Sequence, residues 1–164
     1  MSLKIKVTKQ YSNREALMEK LRAIAGQGVE VGYFPEQGNH PTAAHQGGGA
    51  VSYVELAVIH EQGIDVTERP FMEQIWQLNM YRDNKVGLTA QEQLKRYLRL
   101  RSSHLPQTVL KRIGEAYMPN VDRVMGNPAY LKVTNNPDPL LDTEELNKHF
   151  AYRDTITKRI KEKG

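Results

Sequence analysis

The chain contains no cysteine, which excludes disulfides, thiol nucleophiles and thiolate metal sites and leaves the redox compartment unconstrained. No stretch approaches the roughly 20 apolar residues that a membrane span needs, and the start, MSLKIKVTKQ, has no apolar run of signal-peptide length. Internal repeats and domain linkers are also missing. These absences predict a soluble protein made in the cytoplasm, with residues 1–164 forming one domain. What is present is a globular composition: 39% apolar residues interleaved with 26% charged ones. The formal charge is +4, and much of the excess lies in two places. One is Lys95, Arg96, Arg99 and Arg101; the other is Lys158, Arg159, Lys161 and Lys163 near the end.

Hydrophobic period divides the chain into alternating element types. LKIKVT places Leu3, Ile5 and Val7 on one side of a short strand. Ser12 precedes Glu15 as in a capping box, and Leu17, Leu21 and Ile24 follow at helical spacing until Gly26 and Gly28. VEVGYF returns to strand period and is closed by Pro35. Residues 35–50, PEQGNHPTAAHQGGGA, are polar and glycine-rich and predict a long mobile loop. SYVELAVIHEQG predicts a buried helix that is apolar nearly all round and ends at Gly63. Pro70 suits the first turn of another helix, with Phe71, Ile75 and Leu78 on one face. Residues 85–103 predict a basic helical segment, and Leu105, Val109, Ile113 and Tyr117 a further amphipathic helix. Pro128, Asn135, Asn136, Pro137, Asp138 and Pro139 mark turns before LLDTEEL and a closing strand around HFAYRDT.

Candidate chemistry is sparse. His60 and Glu61 are adjacent, so on a helix they point about 100° apart and cannot clasp one ion as a His pair at i and i+4 does. His40 and His45 could join His60 only through a glycine-rich loop, which supplies no rigid second shell. Gln46-Gly47-Gly48-Gly49 lacks the lysine and the spacing of a phosphate loop and suits an adaptable tip. No serine has a nucleophile-elbow context, and no carboxylate pair stands out as acid and base. The chain is therefore expected to be non-enzymatic, with no catalytic residue, metal or cofactor. Lys95, Arg96, Arg99 and Arg101 beside Tyr97 could contact phosphates, although a solvated helix face is the commoner outcome for such a run.

The order VEVGYFPEQ, glycine-rich loop, YVELAVIHEQG and TERPFM resembles the HK97 gp10-like tail-completion or neck proteins of long-tailed bacteriophages. In that family a "VGyf" strand leads through a loop to a "vA.ihEfG" helix and then to an "iPaRPFm" helix start. NNPDPLLDTEEL followed by HFAYRDT is similar to the family's "npLiDTG.L" turn and closing strand. The direct resemblance covers residues 29–80 and 135–154. Gln62 stands where the family usually has an aromatic residue, Glu144 where it has glycine, and Glu68 where small or apolar residues are common. Residues 85–101 could be an insertion.

The resemblance implies an α+β fold with a small, largely antiparallel sheet packed by amphipathic helices. It implies a phage or prophage structural protein that completes the tail or joins head to tail as a subunit of a homo-oligomeric ring at the neck. Its partners would be a neck or adaptor protein and a tail tube or tail terminator, with passing contact with DNA and none with membrane. Assembly would occur in the cytoplasm of the bacterial host. His60, Glu61, Gly63, Arg69, Pro70 and Phe71 would form a structural joint, with Arg69 pairing locally with Glu61. Pro35, His40, His45, Gly47, Gly48 and Gly49 would belong to an assembly loop, and Lys95, Arg96, Arg99 and Arg101 would face DNA or an acidic neighbour. The alternatives are a DNA-binding accessory protein using that basic face and a metal-dependent hydrolase.

Overall fold

Element boundaries mostly follow local chemistry in the computed structural model, which describes residues 8–44, 48–99, 101–127 and 143–163. Helix α1 (Thr8–Ile24) carries the expected Leu17, Leu21, Ile24 repeat, but Ser12 lies inside it rather than at its cap. Of the strand expected over LKIKVT, only Thr8 lies among the described residues, and it is helical. Strand β1 (Val29–Gly32) follows, and then a 3-10 turn (Pro35–Gln37) in which the Gln37 side-chain oxygen accepts the Phe34 amide at 2.7 Å.

Residues 35–50 depart from the expected loop. β2 (Asn39–Ala44) and β3 (Ala50–Ser52) pair antiparallel, with Asn39 opposite Ser52 and Ala44 opposite Ala50. Pro41 hid this hairpin from the sequence. A two-stranded ribbon leaves each strand one unpaired edge, where proline's missing N–H is tolerated. His45 and Gly47, at the expected tip, lie outside the described residues.

Helix α2 (Tyr53–Gln62) starts on a reciprocal cap between Ser52 and Glu55. Ser52 Oγ accepts the Glu55 amide at 3.2 Å, and the Glu55 carboxylate accepts the Ser52 amide at 2.9 Å. The helix is not buried all round. Tyr53, Ala57 and His60, at i, i+4 and i+7, face inward, while Val58 is 42% exposed. Helix α3 (Phe71–Gln77) begins just after Pro70, whose ψ of 59° places it outside the helix rather than in its first turn. A π-helical turn (Leu78–Arg82) continues it. Then come α4 (Lys85–Tyr97), α5 (Pro106–Tyr117), α6 (Pro119–Met125), α7 (Thr143–His149), β4 (Ala151–Asp154) and β5 (Ile160–Glu162). The expected helix over 85–103 therefore stops at Tyr97. The turns expected over 128–139 lie outside the described residues.

These elements form one α+β domain with a small antiparallel sheet ordered β1-β4-β5. Val29 pairs with Asp154 and Gly32 with Ala151, so two segments more than a hundred residues apart share one ladder. Phe71, Ile75 and Leu78 pack with Val121, Val124, Met125, Leu146 and Phe150 in the core. Removing apolar surface of this kind from water is the main force holding the helices to the sheet. Asn79 is wholly buried in this core but satisfied: its amide group donates to Ile75 O at 3.0 Å, and its oxygen accepts from Asn120 at 2.9 Å. Among the described residues no helix is long and apolar enough to cross a membrane.

Candidate functional site

The joint after α2 is built from backbone geometry. Gly63 takes the left-handed conformation, φ 68°, and its amide donates to Ile59 O, which ends the helix. A Cβ at Gly63 would lie 2.8 Å from Glu68 Cβ and 2.9 Å from the Glu68 backbone, so the returning loop requires glycine twice over, for conformation and for space. Arg69 N–H donates to His60 O at 2.7 Å, and Phe71 N–H donates to Arg69 O at 2.7 Å. His60 is buried, and Phe71 is wholly inside.

Glu61 has a role that its sequence position did not reveal. Its carboxylate crosses the loop and accepts the amides of Met72 at 2.8 Å and Glu73 at 3.2 Å, the first unpaired donors of α3. The local pairing expected between Arg69 and Glu61 is not present among the described ion pairs; Glu61 accepts these amides instead. Burial raises the Glu61 carboxyl above its ordinary value, and the two amide hydrogen bonds act in the opposite direction without cancelling it. Such an acceptor is a structural cap for α3. Neighbouring Tyr33 donates its hydroxyl to Leu146 O at 2.8 Å, and burial pushes that phenol well above its usual value.

The expected assembly loop resolves into a hairpin with a mixed environment. Pro35, Gly48 and Gly49 are exposed. His40, by contrast, is buried, with its ring edge-on to Tyr53 at 5.7 Å between ring centres, and the Tyr53 and His149 ring centres are 4.0 Å apart. Among the described residues no group of three or more histidine, aspartate or glutamate side chains could hold a metal ion.

The basic residues at the end of α4 and in the loop after it line a concavity. Lys95, Arg96, Arg99 and Arg101 line an open cleft of about 660 Å³ together with Ser102, Ser103, His104 and Glu92. Glu92 pairs with Arg96 one helical turn away. Ser102 Oγ lies 2.9 Å from His104 Nδ1 and accepts the His104 amide at 3.2 Å, which folds the loop after α4 into the cleft wall. Tyr97 differs from its expected place among the phosphate-facing groups: it is 3% exposed and donates its hydroxyl to Lys20 O at 2.9 Å.

Lys20 completes this arrangement from α1. Its ammonium donates to the carbonyls of Tyr97 at 2.9 Å, Arg99 at 2.7 Å and Ser102 at 3.3 Å, and lies 5.4 Å from the Tyr97 ring centre. A cation at a helix C-terminus satisfies carbonyls left without intrahelical partners. Lys20 thus caps the C-terminal end of α4 and ties Arg99 and Ser102 to it. Sequence reasoning found the four basic residues but missed Lys20, Ser102 and His104. The polar run RSSH was the only sign of the turn.

A second, apolar groove of about 220 Å³ lies between β1 and α2, lined by Val31, Tyr33, Val54, Val58 and Met72. On α1, Leu17, Met18 and Leu21 remain 36%, 41% and 39% exposed, so its apolar stripe is largely uncovered within the described chain. No family model, no curated protein and no solved structure matches the chain.

Proposed function

We propose that this protein is a non-enzymatic subunit of a bacteriophage or prophage neck, acting in tail completion or head-tail joining. The supporting observation is a pairing in space of the two sequence blocks that carry the resemblance. Val31, from the first block, sits opposite Tyr152, from the second, in the β1-β4 ladder. The helix start in TERPFM supplies Phe71, which packs in the same core as Phe150. Motifs far apart in the chain thus form one folding unit.

A ring built from copies of one chain needs two unlike surfaces, because its contacts run head to tail. The uncovered stripe of α1 and the groove between β1 and α2 are two such apolar surfaces on one domain. The joint at Gly63 and Glu61 then has an architectural purpose: it fixes the angle between α2 and α3 and with it the groove wall.

Deleting the coding sequence from the phage or prophage that carries it, and counting particles by electron microscopy, tests this function. Accumulation of separate DNA-filled heads and tails is expected, with tails of abnormal length if the subunit terminates them. Normal infectious particles in normal yield would overturn the proposal.

A further inference from the structure

We propose that the cleft at the end of α4 binds the phosphodiester backbone of duplex DNA without reading its bases. This does not rest on the tail-completion proposal.

Among the described residues four cations converge on the concavity, and the one carboxylate is paired with one of them, Arg96. The excess is therefore positive where the surface is concave, and concavity focuses the field. The remaining lining groups, Ser102, Ser103 and His104, are hydrogen-bonding side chains of the kind that contact phosphate oxygens.

Charge favours one occupant. Among the described residues the lining is charged and polar, whereas a protein partner is normally anchored by apolar or aromatic groups at the centre of its interface. Among the described residues it presents no aromatic ring, because Tyr97 turns inward against Lys20. Single-stranded nucleic acid is usually held by base stacking on exposed aromatics. A charged, hydroxyl-bearing cleft without stacking surface matches a duplex presenting phosphates alone.

Lys20 acts as a positioning residue. By drawing in the carbonyls of Tyr97, Arg99 and Ser102, it holds the loop that carries Arg99, Arg101 and His104 in one shape. Ordering of the loop before binding reduces the entropy lost on contact.

The test measures binding of the intact, isolated protein to duplex DNA as a function of salt. About four phosphate contacts correspond to a slope of log K against log salt of about −3.6. The variant Lys95→Gln, Arg99→Gln, Arg101→Gln should flatten that slope to about −1 and weaken binding at low salt by tenfold or more. A control with the same loss of charge, Lys158→Gln, Arg159→Gln, Lys161→Gln, changes exposed residues around β5 and should leave the slope unchanged. Binding should be indifferent to base sequence. Equal losses in the two variants, or no measurable binding, would overturn the proposal. So would competition by poly-glutamate as effective as competition by DNA, which would reassign the cleft to an acidic protein partner. Circular dichroism of both variants checks that the fold is retained.

Discussion

Gly114 of α5 sits directly against the ring of Tyr152 on β4: a Cβ built at Gly114 would lie 2.2 Å from Tyr152 Cδ2. The glycine lets the helix approach the strand at a distance no side chain would allow, which brings α5 onto the middle strand of the sheet. Gly114→Ala raises intrinsic helix propensity by about 1 kcal/mol, yet the inserted methyl group must displace an aromatic ring already packed. The net result should be destabilisation by about 1–3 kcal/mol in urea unfolding, the usual cost of overpacking. Combining it with Tyr152→Leu should recover much of the loss; strict additivity would show that the two residues do not meet.

Glu61 should behave as a remote helix cap. Glu61→Ala removes acceptors from the amides of Met72 and Glu73, at a cost of about 1 kcal/mol. Amide hydrogen exchange at these two positions should accelerate before exchange in the core does. Unchanged exchange at Met72 and Glu73 would deny the cap. Glu61→Gln should fall between the two, since one side-chain oxygen remains to accept.

The acid limb of stability should depend on Asp154. Burial alone would raise its carboxyl, but hydrogen bonds from the Thr157 hydroxyl at 2.6 Å and from the Thr157 and Ile156 amides at 2.6 and 3.0 Å outweigh this and hold it below its ordinary value. A carboxyl depressed in the folded state contributes stability that is present above its unfolded pKa and is lost as pH falls toward the folded one. Asp122 follows the same direction, since its bonds to Lys163 and Asn147 outweigh the effect of burial. Glu61, shifted upward, works the other way: it relatively favours the folded state at low pH and loses that contribution as pH rises through its folded pKa. Asp154→Asn should therefore make stability less sensitive to acid in the range at and below ordinary carboxylate pKa values. Urea unfolding at a series of pH values measures it, and an unchanged acid slope would refute the assignment.

Lys20 should affect the loop after α4 more than the whole fold. Lys20→Met keeps the aliphatic stem but leaves the carbonyls of Tyr97, Arg99 and Ser102 to solvent. Proteolysis between residues 99 and 104 should quicken several-fold while global stability falls by about 1–2 kcal/mol, the scale of a charge-assisted hydrogen bond. Protection of this loop equal to that of the parent protein would show that its shape has another cause.

Much of the architecture was visible as period. Val29 and Val31 in β1, Phe71 and Ile75 in α3, and Val109 and Tyr117 in α5 stand where alternating or helical spacing placed them. Pro41 and the glycine run concealed the β2-β3 hairpin, because their local preferences argue for loop and only the facing strand outweighs them. The basic residues Lys95, Arg96, Arg99 and Arg101 were equally legible, but not the cleft that they line. A linear pattern cannot show that Tyr97 turns inward or that Lys20, 77 residues earlier, gathers the carbonyls beyond it.

The sequence by itself determined the kinds of most elements, the β2-β3 hairpin excepted, together with the exclusion of thiol chemistry and the stop at Gly63, since these follow from side-chain chemistry and backbone preferences acting within a few residues. Tertiary structure alone decided that Glu61 caps a helix eleven residues on, that Gly114 opens space for Tyr152, and that four basic residues share a concave surface. Each of those depends on which atoms meet after the chain has folded back on itself, and the hydrophobic collapse that brings them together is non-directional. Close packing and hydrogen-bond geometry then select one arrangement among the many that the pattern permits.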